Sequence, residues 1–362
     1  MAALLAAVSS VSVLAETVTP ADDSRAVFIG RTEVKDGTVS FDWSATYVRL
    51  AFEGNYLAIT ASDTRKDYFN VWIDSDFSAD PDKVICVNSK DTLVVIADAA
   101  DFKGSRKKQH TVMIQKRTEG DQGIATIASF HTNGQLLQAE PLKSRLIEFV
   151  GDSYTCGYGS ENSVSSNPYT PETQNPAKAY GAIIARYFGA DYMTISHSGQ
   201  GIARNYNDSG KGWHMPDRYA GVYDNVRNNN WTPGQFVPAM TMIYLGTNDF
   251  STNRQPTRSA FKQNYMKLIR QIKKNYGDNH PILCVSSKAD PIMFEYVREI
   301  AEDCGYQNVY YDGLFEAVHL NNDTELGADW HPNYKAHKKL AYALIPYIST
   351  ITGWEITDKT VE

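Results

Sequence analysis

Two hydrophobic rhythms divide the chain. Up to about residue 129, apolar and polar positions alternate in short runs at 26–29, 38–41, 47–52, 56–61, 68–73, 93–96, 110–115 and 124–129. A period of two puts successive side chains on opposite faces, so many short runs with no long helical pattern predict an all-β sandwich. Glu53-Gly54-Asn55, between the third and fourth runs, has the composition of a hairpin turn. The polar, turn-prone stretch 133–144, with Pro141, marks a boundary between a sandwich domain at 16–140 and a second domain at 144–362.

Beyond that boundary the period lengthens. Apolar runs at 146–150, 192–196, 240–245, 282–286 and 309–311 read as strands, and 177–188, 258–276 and 292–303 as helices. In 258–276, Phe261, Tyr265, Leu268, Ile269 and Ile272 share one face. A last helix follows Pro332, with Ala336, Leu340, Ala343 and Leu344 inward, and Pro346 is expected to end or kink it. Strands alternating with helices predict an α/β fold with a parallel, doubly wound sheet, whose sites lie beyond the carboxyl ends of the strands.

With 362 residues the chain has room for two domains, and a net charge of −7 gives no support for nucleic-acid binding. Residues 2–15 are apolar and small, and Val13-Leu14-Ala15 has the look of a signal-peptidase site. The segment is too short to span a bilayer, so the expectation is export, to a periplasm or out of the cell. The 22 tyrosines and 6 tryptophans offer platforms for flat ligands, although core packing accounts for most such rings. Cys86, Cys156, Cys284 and Cys304 lack metal-type spacing; Cys284 and Cys304 meet if their strand and helix pack together, and free thiols are otherwise expected. Neither His-Glu-x-x-His nor a phosphate-cradling or dinucleotide glycine pattern is present, so no metal or cofactor is expected.

Candidate chemistry gathers at the strand ends. The strand 146–150 stops at Gly151-Asp152-Ser153, ahead of a glycine-rich loop, and a serine at such a turn can act as an acyl-transfer nucleophile. Ser198-Gly199-Gln200-Gly201 follows the next strand, Gly246-Thr247-Asn248-Asp249 the one after, and Asp329-Trp330-His331 precedes the last helix. A glycine N–H and an asparagine amide are suitable donors to an oxyanion, and His331 can serve as general base. The Asp329 carboxylate can take the other ring N–H of His331. Singly, each piece has a plainer use: glycines for turns, Asn248 as a loop cap, His331 as a helix-start residue, Asp329 as a surface acid. His197 and His214 are rival bases, but neither precedes a helix in the right block.

Together these blocks resemble the SGNH (GDSL-type) hydrolases. With a β-rich domain ahead of them, Arg204-Asn205-Tyr206 after the glycine block and Asp-Trp-His-Pro near the end, the chain is similar to carbohydrate esterase family 2 over nearly its whole length. The resemblance implies a jelly-roll sandwich followed by a flavodoxin-like, three-layer SGNH domain. It implies Ser153 as nucleophile, His331 as base, and an oxyanion hole from the Ser153 N–H, the Gly199 N–H and the Asn248 side chain. Gly199 matches the block better than Gly201. Many SGNH enzymes set the acid three residues before the histidine, whereas Asp329 is two before; in some family 2 members a backbone carbonyl takes the acid's place. The family's matching tryptophan contacts sugar, which gives Trp330 a substrate-binding reading beside that of packing under the last helix. The long polar and aromatic insertion at 203–231 is expected to wall the sugar site. The implied activity is removal of O-acetyl groups from polysaccharides or oligosaccharides such as xylan, mannan or glucomannan. The rivals are an SGNH esterase or lysophospholipase on short-chain or lipid esters, and a carbohydrate-binding protein.

Overall fold

The computed structural model describes residues 16–75, 77–88, 90–208, 212–286, 291–313 and 318–362. The leader-like segment 1–15 lies outside the described residues, as do residues 209–211 of the long insertion.

The described residues of the first half form twelve strands: β1 Thr17–Pro20, β2 Val27–Ile29, β3 Glu33–Lys35, β4 Thr38–Phe41, β5 Tyr47–Glu53, β6 Leu57–Asp63, β7 Lys66–Ile73, β8 Lys83–Asn88, β9 Thr92–Ala97, β10 Gln109–Lys116, β11 Ala125–Thr132 and β12 Gln135–Leu137. One antiparallel sheet has the order β3-β4-β11-β6-β9, with β1 on β11; the other is β12-β5-β10-β7-β8, with β2 on β5. Their inner faces enclose Phe41, Leu50, Phe52, Ile59, Val71, Ile114, Ile127 and Phe130. The alternation of these residues with polar ones is what commits each strand to one register.

The hairpin expected at Glu53-Gly54-Asn55 is not formed: β5 and β6 belong to different sheets. The tripeptide is instead an arch over the edge of the sandwich, with Gly54 at φ +114°. The Gly54 N–H donates to the Lys108 carbonyl at 3.0 Å, and the Asn55 N–H to Asn133 Oδ1 at 3.0 Å. Asn133-Gly134 forms a second arch beside it, carrying β11 into β12, which falls inside the stretch read as a boundary.

The second half contains β13 Leu146–Gly151, α1 Ser153–Cys156, α2 Tyr180–Phe188, β14 Asp191–Ser196, α3 Met215–Arg218, β15 Met240–Tyr244, α4 Arg258–Tyr276, β16 Ile282–Ser286, α5 Pro291–Asp303, β17 Val309–Gly313, β18 Leu326–Gly327, β19 His331–Pro332 and α6 Tyr334–Thr352. Five strands form a parallel sheet in the order β14-β13-β15-β16-β17. Every residue of β13 to β16 is buried, which is why these strands read as continuous apolar runs. Phe149, Met242 and Leu283 face α2 and α6, whereas Val150, Ile243 and Cys284 face α4 and α5. The strand order is that of a flavodoxin-like fold, whose switch point lies where β13 meets its two neighbours. Ser153 follows β13 with only Asp152 between them. Pro346 does not end α6, which continues to Thr352 with Pro346 on its exposed face. All four cysteines are free thiols.

The two domains meet through buried charge. Arg31 of the sandwich reaches Glu148 of β13 at 3.4 Å and donates to the carbonyls of Tyr219 and Gly221. Glu148 also accepts the hydroxyls of Tyr219, Thr241 and Tyr276, each at 2.9 Å. Arg49 and the Tyr47 hydroxyl close on Asp191, and Arg117 on Glu161.

Candidate active site

At the end of β13 the chain turns through Gly151 into the single-turn helix α1. Asp152 caps it, Oδ1 accepting the Tyr154 N–H at 3.2 Å, and Ser153 stands at its first position. The β18–β19 hairpin carries the histidine. Within it, Asp329 and Trp330 are both left-handed, at φ +48° and +63°, and their N–H groups are held by the Asn167 and Ser165 carbonyls at 2.9 and 3.1 Å. Just beyond, Asn333 caps α6 by accepting the N–H groups of Lys335 and Ala336.

These two supports bring His331 Nε2 to 2.9 Å from Ser153 Oγ. The other ring nitrogen, Nδ1, meets the backbone carbonyl of Asp329 at 3.0 Å. The expected carboxylate contact is therefore not made. Asp329 Oδ2 turns away, accepting the Tyr158 hydroxyl at 2.9 Å and the Tyr169 N–H at 3.0 Å. The Tyr158 ring lies 4.3 Å from the imidazole, centroid to centroid, and Tyr169 stacks behind it at 4.0 Å. Burial pushes the His331 pKa below its ordinary 6.5, while the Asp329 carbonyl works in the opposite direction. The net shift favours the neutral ring, the form that can accept a proton.

Among the described residues, the backbone N–H groups of Ser153 and Gly199 meet no backbone acceptor. Gly199 sits at φ +76°, and Tyr206 donates its N–H to the Gly199 carbonyl at 2.8 Å. The Gly201 N–H is used locally, on Asn205 Oδ1 at 3.1 Å. The Asn248 amide is engaged with Asp152 Oδ2 at 3.0 Å and the Gln200 carbonyl at 2.9 Å. Burial lifts Asp152 to about 7.

Asp249 has a use the sequence did not reveal. It accepts the N–H groups of Ile202, Ala203 and Arg204 at 2.7–2.9 Å and so fixes the glycine loop. Burial raises it to about 7 against the pull of those bonds. Arg204 returns the grip on the carbonyls of Asp249 and Ser251, both at 2.9 Å.

The rival histidines stand elsewhere. His197 lies between Asp224 and Asp121; burial alone would lower its pKa, but the two carboxylates overcome this and raise it to about 10. His214 opens α3. Trp330 is 60% exposed and so is not packed under α6. The insertion at 203–231 divides in two: Tyr206 is exposed beside Gly199, whereas Tyr219, Asp224 and Trp231 pack towards the sandwich instead of walling a cleft. Among the described residues no group of three or more His, Cys, Asp or Glu is placed to hold a metal, and no helix is long and apolar enough to cross a membrane.

A doubly wound α/β domain with a serine after its first strand, and a histidine before its last helix meeting that serine, has the form of an SGNH-type serine hydrolase. The chain belongs to the GDSL-like lipase/acylhydrolase family, whose model matches residues 149–339, and residues 28–141 match the N-terminal domain of carbohydrate esterase 2. It is 31% identical over 355 residues to the cellulase/esterase CelE of Acetivibrio thermocellus, covering 94% of this chain but 41% of that relative's length. An acetylxylan esterase / glucomannan deacetylase of Cellvibrio japonicus is 29% identical, with 87% of this chain and 86% of the relative covered. Among solved structures, a family two carbohydrate esterase from Clostridium thermocellum in complex with cellohexaose superposes with a TM-score of 0.82 at 29% identity, over 91% of this chain and all of the other.

Proposed function

We propose that the protein is a serine esterase that removes O-acetyl groups from plant-wall polysaccharides or their oligosaccharides, such as xylan, mannan or glucomannan. The observation that carries this reading is the 2.9 Å approach of His331 Nε2 to Ser153 Oγ, with Nδ1 on a carbonyl that fixes the useful tautomer. Ser153 Oγ attacks the acetyl carbonyl while its proton passes to Nε2. The oxyanion is held by the N–H groups of Ser153 and Gly199; Asn248 joins them by exchanging the Gln200 carbonyl for the oxyanion. Collapse of the tetrahedral intermediate expels the sugar hydroxyl, which takes the proton back from His331. Water, deprotonated by the same imidazole, then releases acetate from Ser153. Trp330, exposed one residue before the base, offers a face to the sugar ring.

Relatives named as acetylxylan esterase / glucomannan deacetylase support the substrate class, and an acylated polymer as substrate fits export through the leader-like stretch 2–15. The acyl group is small and neutral, so propionyl esters are disfavoured and not excluded, one methylene being worth about 1–3 kcal/mol. The test is acetate release from acetylated xylan and glucomannan. Wild type releases acetate and Ser153→Ala loses at least about 10⁴-fold in kcat. Activity surviving in Ser153→Ala overturns the mechanism. A wild type silent on acetyl esters yet active on lipid esters, or only binding the glycan, overturns the substrate.

A further inference from the structure

Ser153, His331, Gly199 and Asn248 all belong to the second domain. The turn of the sandwich domain at residues 119–121 nevertheless reaches the loop that follows β14. Glu119, 4% exposed, accepts the Ser198 N–H on one oxygen at 2.6 Å and the Ser198 hydroxyl on the other at 2.7 Å. Its first oxygen also lies 3.4 Å from the thiol of Cys156, on the helix that carries Ser153. Two residues on, Asp121 faces His197 Nε2 at 3.3 Å. One turn of the sandwich thus grips two successive residues of the neighbouring domain. The approach is close enough to require Gly120: a Cβ there would stand 2.7 Å from the Asp224 Cβ and 3.0 Å from Asp42 Oδ2.

Ser198 supplies the carbonyl half of the peptide whose N–H belongs to Gly199. Turning that peptide plane would re-aim the N–H. The plane is held before the bond by the two-point grip on Ser198, and after it by the Tyr206 N–H on the Gly199 carbonyl. We propose that Glu119 is a positioning residue for the oxyanion donor at Gly199, so that the sandwich domain sets the aim of an N–H group in the catalytic domain. This rests on the acyl-transfer reading of Ser153. Hydrogen bonds weaken steeply as their angle closes, and losing one oxyanion donor costs about 10²–10³ in kcat, so a misdirected donor costs a part of that, about 10–100-fold.

The experiment compares Glu119→Ala, Glu119→Gln and Ser198→Ala in acetate release. Active sites are counted by titration with an organophosphonate, whose rate of reaction with Ser153 is also recorded. Glu119→Ala is expected to lose about 10–100-fold in kcat per titrated site with KM within about twofold. Glu119→Gln restores most of the rate, because its amide can accept the Ser198 N–H and donate to the hydroxyl oxygen. Ser198→Ala, which keeps the N–H bond and loses the other, falls between. Phosphonylation slows in the same order. A merely structural role would instead reduce the number of titrated sites and leave kcat per site unchanged, and that result overturns the proposal. If Glu119→Ala does not fold, Ser198→Ala decides alone, and a wild-type kcat in it is equally fatal. Failure of the acetyl-ester reading is seen separately, as a wild type silent on acetyl esters, and the order of phosphonylation rates still judges Glu119.

Discussion

At the scale of single residues, the partner of the proposed base is a peptide carbonyl. The carboxylate of Asp329 is occupied with Tyr158 and Tyr169, so its charge is not what orients His331. Asp329→Asn, which suits a left-handed position and keeps an oxygen for both donors, is expected to retain near wild-type kcat. Asp329→Ala, losing those anchors, should fall by no more than about tenfold, whereas His331→Ala falls by about 10⁴ or more. Steady-state rates on acetylated xylan oligosaccharides measure all three. Titration follows the same logic. Burial depresses the His331 pKa, and the base acts when neutral, so kcat/KM rises with pH about a midpoint below 6.5 and is already near its plateau at neutrality. A pH–rate profile with the midpoint above 6.5 contradicts this. Ser153 and His331 were legible because each stands at a strand or helix boundary in a recognisable block. The turning away of the Asp329 side chain was not, since the groups that hold it, on Tyr158 and Tyr169, lie far from it in sequence.

At the scale of elements, the apolar periods located most strands and helices, and the errors have physical causes. Glu53-Gly54-Asn55 specifies a reversal of the chain, but composition does not say whether the reversal stays within one sheet. Here the hydrogen bonds go to Lys108 and Asn133, residues distant in sequence, and the reversal becomes an arch. Strands such as β3, three residues long and all exposed, are too short for their alternation to stand out. Pro346 is tolerated because it faces solvent near the exposed Tyr342, whose carbonyl can be hydrated in place of its missing partner. Pro346→Ala restores a donor to that carbonyl. It is expected to raise stability by about 1–2 kcal/mol, interior proline costing about 3 and its stiffening of the unfolded chain returning up to about 1. A denaturant midpoint that falls refutes it.

At the scale of the molecule, the seam between domains is built of buried charge that no motif displayed. Arg31 and Glu148 are 117 positions apart and both fully buried. Arg31→Met leaves Glu148 without its counter-charge and is expected to cost about 3–5 kcal/mol, with Arg31→Met/Glu148→Gln recovering part of the loss; urea unfolding measures both. The position of Glu119 was equally hidden, because a lone acid in a turn is ordinary until the second domain is folded against it. The close passage of Gly120 over Asp42 and Asp224 has one more consequence. These halves are not interchangeable parts. A chimera that joins this sandwich to another hydrolase domain inherits a turn cut to fit one loop, so the viable unit of shuffling is the pair, seam included.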